Sequence, residues 1–186
     1  MRIAYGLIAE RGLEGFRTRD VAAAAGIDTG TLHYHFPSKE ALVQAVVAQL
    51  LLDFHANRAE KGVPPKNAME ELRNEIFDVV SRLQESPDQL VVMLDLTVRA
   101  SRDPAVAEIK TRADQFWTAA LTELFTRGKE QGVFRANIHP ETEARLLRAQ
   151  LNGLAIVGLA APQKAKELAD TLFAQLKTWL SKPGKK

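Results

Sequence analysis

Apolar positions recur at steps of three and four residues along most of the chain, and no segment alternates apolar and polar residues convincingly as a strand does. Capping residues, glycines and prolines separate these periodic segments, and proline opens a helix more readily than it continues one. We therefore predict an all-α protein. The predicted helices are Met1–Arg11, Thr18–Ala25, Thr29–His35, Ser38–Glu60, Asn67–Glu85, Pro87–Ser101, Pro104–Gln131, Pro140–Ala160 and Gln163–Ser181.

The lengths of the predicted helices divide the chain into two parts. Three short helices joined by tight turns occupy the first 36 residues, whereas the helices that follow are long. We expect one domain over residues 1–47 and a larger helical domain over residues 48–186, joined by the long helix that begins near Ser38.

Composition and charge narrow the class of protein. The chain has 186 residues, of which 46% are hydrophobic and 26% charged, as in a folded globular protein. Its formal net charge is +2, so any basic surface that meets a polyanion must be local. The absence of cysteine excludes disulfides and thiolate metal sites and fits a reducing cytoplasm. The longest nearly apolar run has eight residues, whereas a bilayer span needs about 20, so we expect a cytoplasmic protein without a membrane segment.

Residues 18–32, TRDVAAAAGIDTGTL, have the pattern of a helix-turn-helix. Thr18 is expected to cap the first helix, Gly26 to end it in the left-handed conformation, and Asp28 to cap the second helix. The side chains expected to be buried between the helices are Val21, Ala25, Ile27, Leu32 and Phe36. The side chains expected to face outward, on a helix that fits the major groove of DNA, are Thr29, Gly30, Thr31, His33, Tyr34 and His35.

The next helix begins with a feature that helix energetics alone does not explain. Ser38 is expected to cap it, but Lys39 then places a cation in the first turn, where it opposes the helix dipole. A lysine at a helix N-terminus is a good phosphate ligand, so DNA binding would account for it. A lysine solvated beside Glu40 is the alternative.

Residues 12–42, GLEGFRTRDVAAAAGIDTGTLHYHFPSKEAL, resemble the DNA-binding domain of the tetracycline-repressor (TetR) family of bacterial transcriptional regulators. The resemblance implies an all-α homodimer in which each N-terminal helix-turn-helix reads a half-site of a double-stranded DNA operator. It also implies a larger C-terminal domain that dimerises and binds a small-molecule effector. We expect a repressor that a mostly apolar effector releases from its operator.

By position, the resemblance assigns phosphate contacts to Thr18 and Lys39. The other DNA-binding residues that it implies are Arg19, Thr29, Gly30 and Thr31 at base edges or the backbone, and Tyr34 and His35 against the phosphodiester.

The sequence departs from the family's pattern at two points. His33 stands where family members commonly have tyrosine, so the phosphate contact is expected either to be weaker at alkaline pH or to be replaced by an imidazole hydrogen bond. Met1 falls inside the family's first helix, and the usual basic arm before that helix is missing. We therefore expect the chain to be truncated at its start.

No motif in the C-terminal part identifies the effector. An effector is expected between the helices that carry Met93 and Trp117, although the apolar stripe around Trp117 equally fits a core. Asp95 and Arg99 form either an intrahelical pair worth about 0.2–0.5 kcal/mol or the group that orients the polar end of an effector, and Asn152 is similarly ambiguous. The candidate effector-binding residues are Met93, Asp95, Thr97, Phe116, Trp117, Leu121 and Asn152.

The last two predicted helices carry continuous apolar stripes that require partner helices. The resemblance implies that they pair with their copies in a four-helix bundle, whereas packing within one chain is the alternative, and we expect both in part. The predicted dimer interface is Leu147, Leu151, Leu154, Gly158, Leu168, Leu172, Leu176 and Trp179.

Two other classes of protein fit the sequence less well. A small enzyme needs a nucleophile, an acid–base pair, a metal or a cofactor-binding loop, and the usual sequence signatures of these are missing. His33 and His35 point about 200° apart on a helix, which disfavours a shared metal. A helical adaptor that binds only protein would leave Lys39 and the outward residues of the second helix unexplained. We expect no enzyme activity, no metal and no cofactor.

Overall fold

A computed structural model describes the backbone of residues 1–60 and 64–181, and the side chains of residues 1–53 and 64–181. Within those ranges the secondary structure is helical and contains no strand, which confirms the predicted all-α class. The helices are α1 Arg2–Gly15, α2 Thr18–Ala25, α3 Thr29–His35, α4 Lys39–Glu60, α5 Ala68–Glu85, α6 Pro87–Ala100, α7 Pro104–Glu130, α8 Pro140–Ala160 and α9 Pro162–Leu180.

Helix α1 differs most from its predicted bounds. It was expected to end at Arg11, but helical residues continue to Gly15 across a kink at Gly12. The backbone of Gly12 has φ 67° and ψ 164°, a conformation that is essentially restricted to glycine. The break was thus correctly located, and the chain resumes a short helical turn after it.

Two of the three side-chain caps predicted for the N-terminal helices are present. Asp28 accepts the Thr31 N–H at the start of α3, and Ser38 Oγ accepts the Ala41 N–H at 3.1 Å, as predicted. The cap predicted for Thr18 is wrong. Helix α2 begins at Thr18 itself, with Arg17 in the capping position and no side-chain cap.

The first of two compact units comprises Met1–Asn57 and Ser86–Ala113. Its core includes side chains from α1, α4 and α6, because Val92 and Leu96 of α6 are fully buried together with Ile8, Val46 and Leu50. Helix α6 and the start of α7 therefore complete this unit. A compact unit of this extent differs from the predicted division at residue 47.

The second unit comprises Arg58–Glu85 and Asp114–Lys186. Helices α5, α8 and α9 pack against one another in it. The rings of Phe125 and Phe134 lie 5.7 Å apart between centroids, at 44° to each other, and both are fully buried. Across the described ranges of both units, no helix is long and apolar enough to cross a membrane.

Candidate functional site

The outer face of α3 is open to solvent along its length. Leu32 is only 6% exposed and anchors the helix, whereas Tyr34 is 84% exposed. The exposed residues of α3 are the ones that the sequence predicted, namely Thr29, Gly30, Thr31, His33, Tyr34 and His35. The Tyr34 and His35 rings meet edge to face with their centroids 5.3 Å apart.

The predicted buried side of the helix-turn-helix is correct only in part. Val21 and Leu32 are buried and Phe36 is partly buried, but Ala25 and Ile27 are exposed. They flank Gly26 in the turn, where φ is 69° and the chain leaves α2. Residues in such a turn lie beyond the surfaces that α2 and α3 bury against each other, so their apolar character does not make them core.

A hydrogen-bonded cap fixes the first turn of α3. The Asp28 carboxylate accepts the Thr31 N–H at 2.8 Å and also the Thr31 hydroxyl. These two hydrogen bonds hold the pKa of Asp28 below its ordinary value. Gly30 suits the same arrangement, since a Cβ at that position would lie only 3.0 Å from Asp28 Oδ1. Thr31 and Gly30 thus have a structural role in addition to the DNA contacts predicted for them.

A depression of about 450 Å³ lies beside the N-terminus of α2. Its lining residues are Phe16, Arg17, Thr18, Arg19 and Lys39. Because α2 has no side-chain cap, the positive end of its dipole and three basic side chains face the same space. This combination suits a phosphate oxygen.

Ion pairing concentrates positive charge at this depression, although residues 1–47 are balanced in charge overall. Asp20 is bound by Arg11 at 2.9 Å and lies 3.7 Å from Arg19. In the part of the chain that the structure describes, no carboxylate lies within ion-pair distance of Arg17 or Lys39. The small net charge implied that any basic surface must be local, and this depression is a local basic surface of that kind.

Lys39 already has one protein partner. Its Nζ donates to the Leu13 carbonyl at 2.5 Å and lies 5.8 Å from the centre of the Phe16 ring. Burial lowers the pKa of the Lys39 ammonium, and the nearby charges of Arg17 and Arg99 lower it further. An ammonium has three N–H donors, so the bond to Leu13 leaves two for a phosphate.

The residues predicted to bind an effector are divided between the two units, and each group is described by itself. In the first unit, Met93 packs against the core and the Thr97 hydroxyl donates to the Met93 carbonyl at 2.8 Å. The Asp95 carboxylate accepts the Leu13 N–H at 2.5 Å. Within the described residues Arg99 pairs with Glu14 and Asp103 and not with Asp95, so the expected intrahelical pair is wrong, whereas an effector-orienting role of Asp95 stays a prediction.

In the second unit, Leu121 is buried in the core, Asn152 is half-buried and Phe116 is exposed. Trp117 has an unusual environment, because its indole Nε1 is buried and has no acceptor within the described ranges. Buried N–H groups normally have a partner. Among the predicted effector residues, Trp117 is thus the one with a buried polar atom that has no hydrogen-bond partner among the described residues.

The predicted dimer residues are mostly buried within their own chain. Leu168 and Trp179 are exposed and Leu172 is half-buried. The members buried inside one protomer are Leu147, Leu151, Leu154, Gly158 and Leu176. Gly158 shows why, since a Cβ there would lie 2.2 Å from Leu83 Cδ1 of α5. The alternative of packing within one chain accounts for these positions.

Helix α8 has a second apolar face that the sequence interpretation missed. Leu146, Gly153, Ile156 and Val157 are exposed at helical spacing on the side opposite the buried stripe. No atom would lie within 4 Å of a Cβ built at Gly153, so this face is open along its middle. The signal was present in the sequence as a second set of apolar residues on α8. Three of its members, Leu146, Gly153 and Val157, each come one position before a buried residue.

These features define a helical DNA-binding regulator with a helix-turn-helix. Residues 2–46 match the family model described as "Bacterial regulatory proteins, tetR family", and residues 68–181 match that of the "BetI-type transcriptional repressor, C-terminal". The chain belongs to the tetR family of bacterial regulatory proteins, and it is a ligand-responsive, DNA-binding transcriptional repressor. The matches give no support to an adaptor or an enzyme.

Individual relatives agree with this assignment. The chain is 30% identical over 149 residues to the HTH-type transcriptional repressor KstR2 of Rhodococcus jostii, covering 78% of this chain and 71% of that protein. The solved structure of Salmonella enterica GusR has a TM-score of 0.81 at 25% identity, covering 96% of this chain and 92% of GusR. The structure of KstR2 from Mycobacterium tuberculosis has a TM-score of 0.66 at 24% identity, covering 98% and 93% of the two chains.

Proposed function

We propose that two copies of this chain bind a double-stranded DNA operator in the cytoplasm, each through the outer face of α3 and the basic depression beside α2. A small, mostly apolar effector that binds the second unit releases the DNA. The observation that carries the proposal is the depression, where Arg17, Arg19 and Lys39 meet an uncapped helix N-terminus next to the exposed recognition helix.

The exposed residues have two kinds of role in this proposal. Thr18 and Lys39 hold phosphates, while Arg19 and the first turn of α3 approach base edges or the backbone. Tyr34 and His35 lean on the phosphodiester, and His33 contributes an imidazole hydrogen bond. Phosphate contacts fix the register of the protein on the duplex, whereas base contacts carry sequence preference.

A selection from genomic DNA tests the DNA-binding part. The purified protein is mixed with genomic fragments, and the bound fragments are sequenced and confirmed as labelled duplexes. Arg19→Ala and Tyr34→Ala should weaken binding to the selected duplex while leaving the unfolding midpoint unchanged, because both side chains are exposed. The proposal would be contradicted if no sequence were enriched, or if both variants bound the selected duplex as tightly as the wild type does.

The proposed dimer uses the exposed apolar face of α8 together with Leu168 and Leu172 of α9. Three apolar side chains of α8 lie open to solvent, and Gly153 lies between Leu146 and Ile156 in the sequence, where a partner helix can approach closely. Trp179 contributes less to this surface than the sequence suggested. The Arg135 guanidinium lies 3.2 Å from the centre of the Trp179 ring, and the indole Nε1 of Trp179 donates to Glu143 at 3.3 Å.

The proposed effector site is centred on Trp117. The Trp117 indole combines a large apolar ring with a buried N–H that has no acceptor among the described residues. Such a side chain suits a mostly apolar molecule that carries one hydrogen-bond acceptor, such as a carbonyl or hydroxyl oxygen. Release requires that the effector bind the DNA-incompetent state more tightly than the competent one. A difference of about 1–3 kcal/mol changes operator affinity by about 5- to 150-fold.

A further inference from the structure

The kink in α1 leaves a backbone N–H without its usual helical acceptor, and a residue of α6 supplies one. At Gly12 the φ and ψ angles leave the helical range, so the hydrogen-bond ladder of α1 is interrupted there. The N–H of the next residue, Leu13, donates to Asp95 Oδ2 at 2.5 Å. A Cβ at Gly12 would lie 3.6 Å from the same oxygen, so the carboxylate rests directly against the kink.

The same peptide segment is held at its carbonyl end by α4. Lys39 Nζ donates to the Leu13 carbonyl at 2.5 Å, while the Leu13 side chain is buried in the core. One residue of α1, Leu13, thus donates its N–H to a carboxylate of α6 and accepts a hydrogen bond at its carbonyl from an ammonium of α4. Asp95 and Lys39 do not need to touch each other to be coupled, because each is bonded to Leu13.

Helix α6 has a second contact with the end of α1. Arg99 lies one turn beyond Asp95, and its Nη1 is 3.2 Å from Glu14 Oε1. A small cavity of about 110 Å³ in this region is lined in part by Leu13, Lys39 and Arg99. The end of α1 is tied to α6 by two charged side chains, Asp95 and Arg99, in addition to apolar packing.

The chain that follows this anchor forms the proposed phosphate site. Phe16 comes three residues after Leu13 and is fully buried, and Arg17 and Thr18 follow it at the rim of the depression. We propose, on the basis of the proposed function, that Asp95 is a positioning residue for DNA binding. By holding the Leu13 peptide, it sets where Lys39 and the start of α2 present their phosphate-binding groups.

The electrostatics around Lys39 agree with this role. Burial and the charges of Arg17 and Arg99 lower the pKa of Lys39, against the opposite effect of Glu40 and Glu14. A phosphate would relieve that repulsion only if the ammonium is held at the right place. Asp95 binds the N–H of Leu13, the residue whose carbonyl accepts a hydrogen bond from Lys39.

The test uses the full chain and three substitutions at one position. Asp95→Leu removes the acceptor but keeps the branched shape of the side chain. Asp95→Asn keeps an acceptor oxygen without charge, and Asp95→Glu keeps the charge one methylene farther from the backbone. Asp88→Leu is the matched control, since Asp88 is an exposed carboxylate on the same helix. Affinity is measured by fluorescence anisotropy with a labelled duplex selected by the wild-type protein and with a random duplex of the same length.

Asp95→Leu should weaken binding to both duplexes by about ten- to hundredfold, the range expected when a hydrogen bond to a charged group is removed. Asp95→Asn should recover most of that affinity, Asp95→Glu should weaken binding at least about threefold, and Asp88→Leu should resemble the wild type. Amide hydrogen exchange reports the bond itself, because the Leu13 N–H should exchange faster in Asp95→Leu and stay protected in Asp95→Asn. Sedimentation should give all variants the same mass.

A folded Asp95→Leu protein with a fast-exchanging Leu13 amide and wild-type affinity for both duplexes would overturn the inference. If Asp95→Leu fails to fold, Asp95→Glu decides, and unchanged affinity in that variant overturns it equally. If the wild-type protein selects no duplex at all, the proposed function fails instead. The two failures are therefore distinguishable.

Discussion

Thr31 donates two hydrogen bonds to Asp28, one from its hydroxyl and one from its backbone N–H at 2.8 Å. The pair closes the first turn of the helix that faces solvent along its whole outer surface. A threonine predicted to contact DNA is thus first a part of the helix cap. Its hydroxyl oxygen still has lone pairs for a DNA donor, but its hydrogen is committed to Asp28.

This cap predicts an acid-dependent loss of stability. Because the Thr31 hydroxyl and N–H lower the pKa of Asp28, the stabilisation is fully present above the ordinary carboxyl pKa. It disappears as the pH falls through the lower pKa of the folded state. The difference in unfolding free energy between wild type and Asp28→Ala should therefore shrink in acid, as followed by urea unfolding from neutral pH downward. A difference independent of pH would contradict this assignment.

Lys39→Gln should weaken binding to every duplex by a similar factor. It removes the charge but keeps an N–H donor for the Leu13 carbonyl, so the anchor of α1 is disturbed less than by alanine. The slope of log affinity against log salt should become shallower by about 0.9 for each phosphate that the variant no longer neutralises. Lys66→Gln, at an exposed lysine of the other unit, is the control. A changed sequence preference with an unchanged salt slope would show that Lys39 contacts a base.

A charge on the outer face of α8 should separate the protomers. Ile156→Glu places a carboxylate in the middle of the proposed interface, where burial without a partner is costly, and should weaken association by at least about tenfold. Operator affinity should fall with it, since the two half-sites are engaged jointly. Leu52→Glu introduces the same charge at an exposed leucine of α4 and should leave the mass in sedimentation unchanged. Dissociation by both variants, or by neither, would sink the assignment.

Trp117→Phe isolates the orphan N–H of the proposed effector site. The variant retains an aromatic ring but lacks the indole donor, so binding of an effector with an oxygen acceptor should weaken by about two- to tenfold. Operator affinity without effector should change less than about twofold. The readout is release of a labelled operator by apolar compounds with and without a carbonyl group. Equal response of variant and wild type to the carbonyl compounds would refute this role for Trp117.

Most of the fold could be predicted because its signals are local. Apart from the end of α1, predicted and observed helix ends agree within one residue, since prolines, glycines and capping side chains act on their immediate neighbours. The exposed face of α3 followed from the same spacing. Ala25 and Ile27 were misplaced because apolar character in a turn does not reveal which surfaces the neighbouring helices cover.

The parts that could not be predicted depend on distant partners. Asp95 binds a backbone N–H that is 82 positions away, and that N–H is available only because Gly12 breaks α1. No spacing within α6 contains this information, so the sequence pointed to Arg99, the neighbour one turn on. On α8, two sets of apolar residues both fit helical periodicity, and only the packing of α5 and α9 decides which set the chain buries for itself.

The two glycines of α8 should respond oppositely to alanine because they lie on these two faces. At Gly158 the added Cβ would meet Leu83 Cδ1 at 2.2 Å, so overpacking of about 1–3 kcal/mol should exceed the gain in helix propensity of about 1 kcal/mol. At Gly153 the Cβ meets nothing within 4 Å in its own chain, so Gly153→Ala should not destabilise the protomer. Urea unfolding compares the two variants in the Ile156→Glu background, in which the protomers are expected to be separated, so that a loss of dimerisation does not contribute. Gly158→Ala should cost less stability in a Leu83→Ala background than with Leu83 present if this clash causes the destabilisation. Equal destabilisation by both glycine substitutions would refute the assignment of the faces.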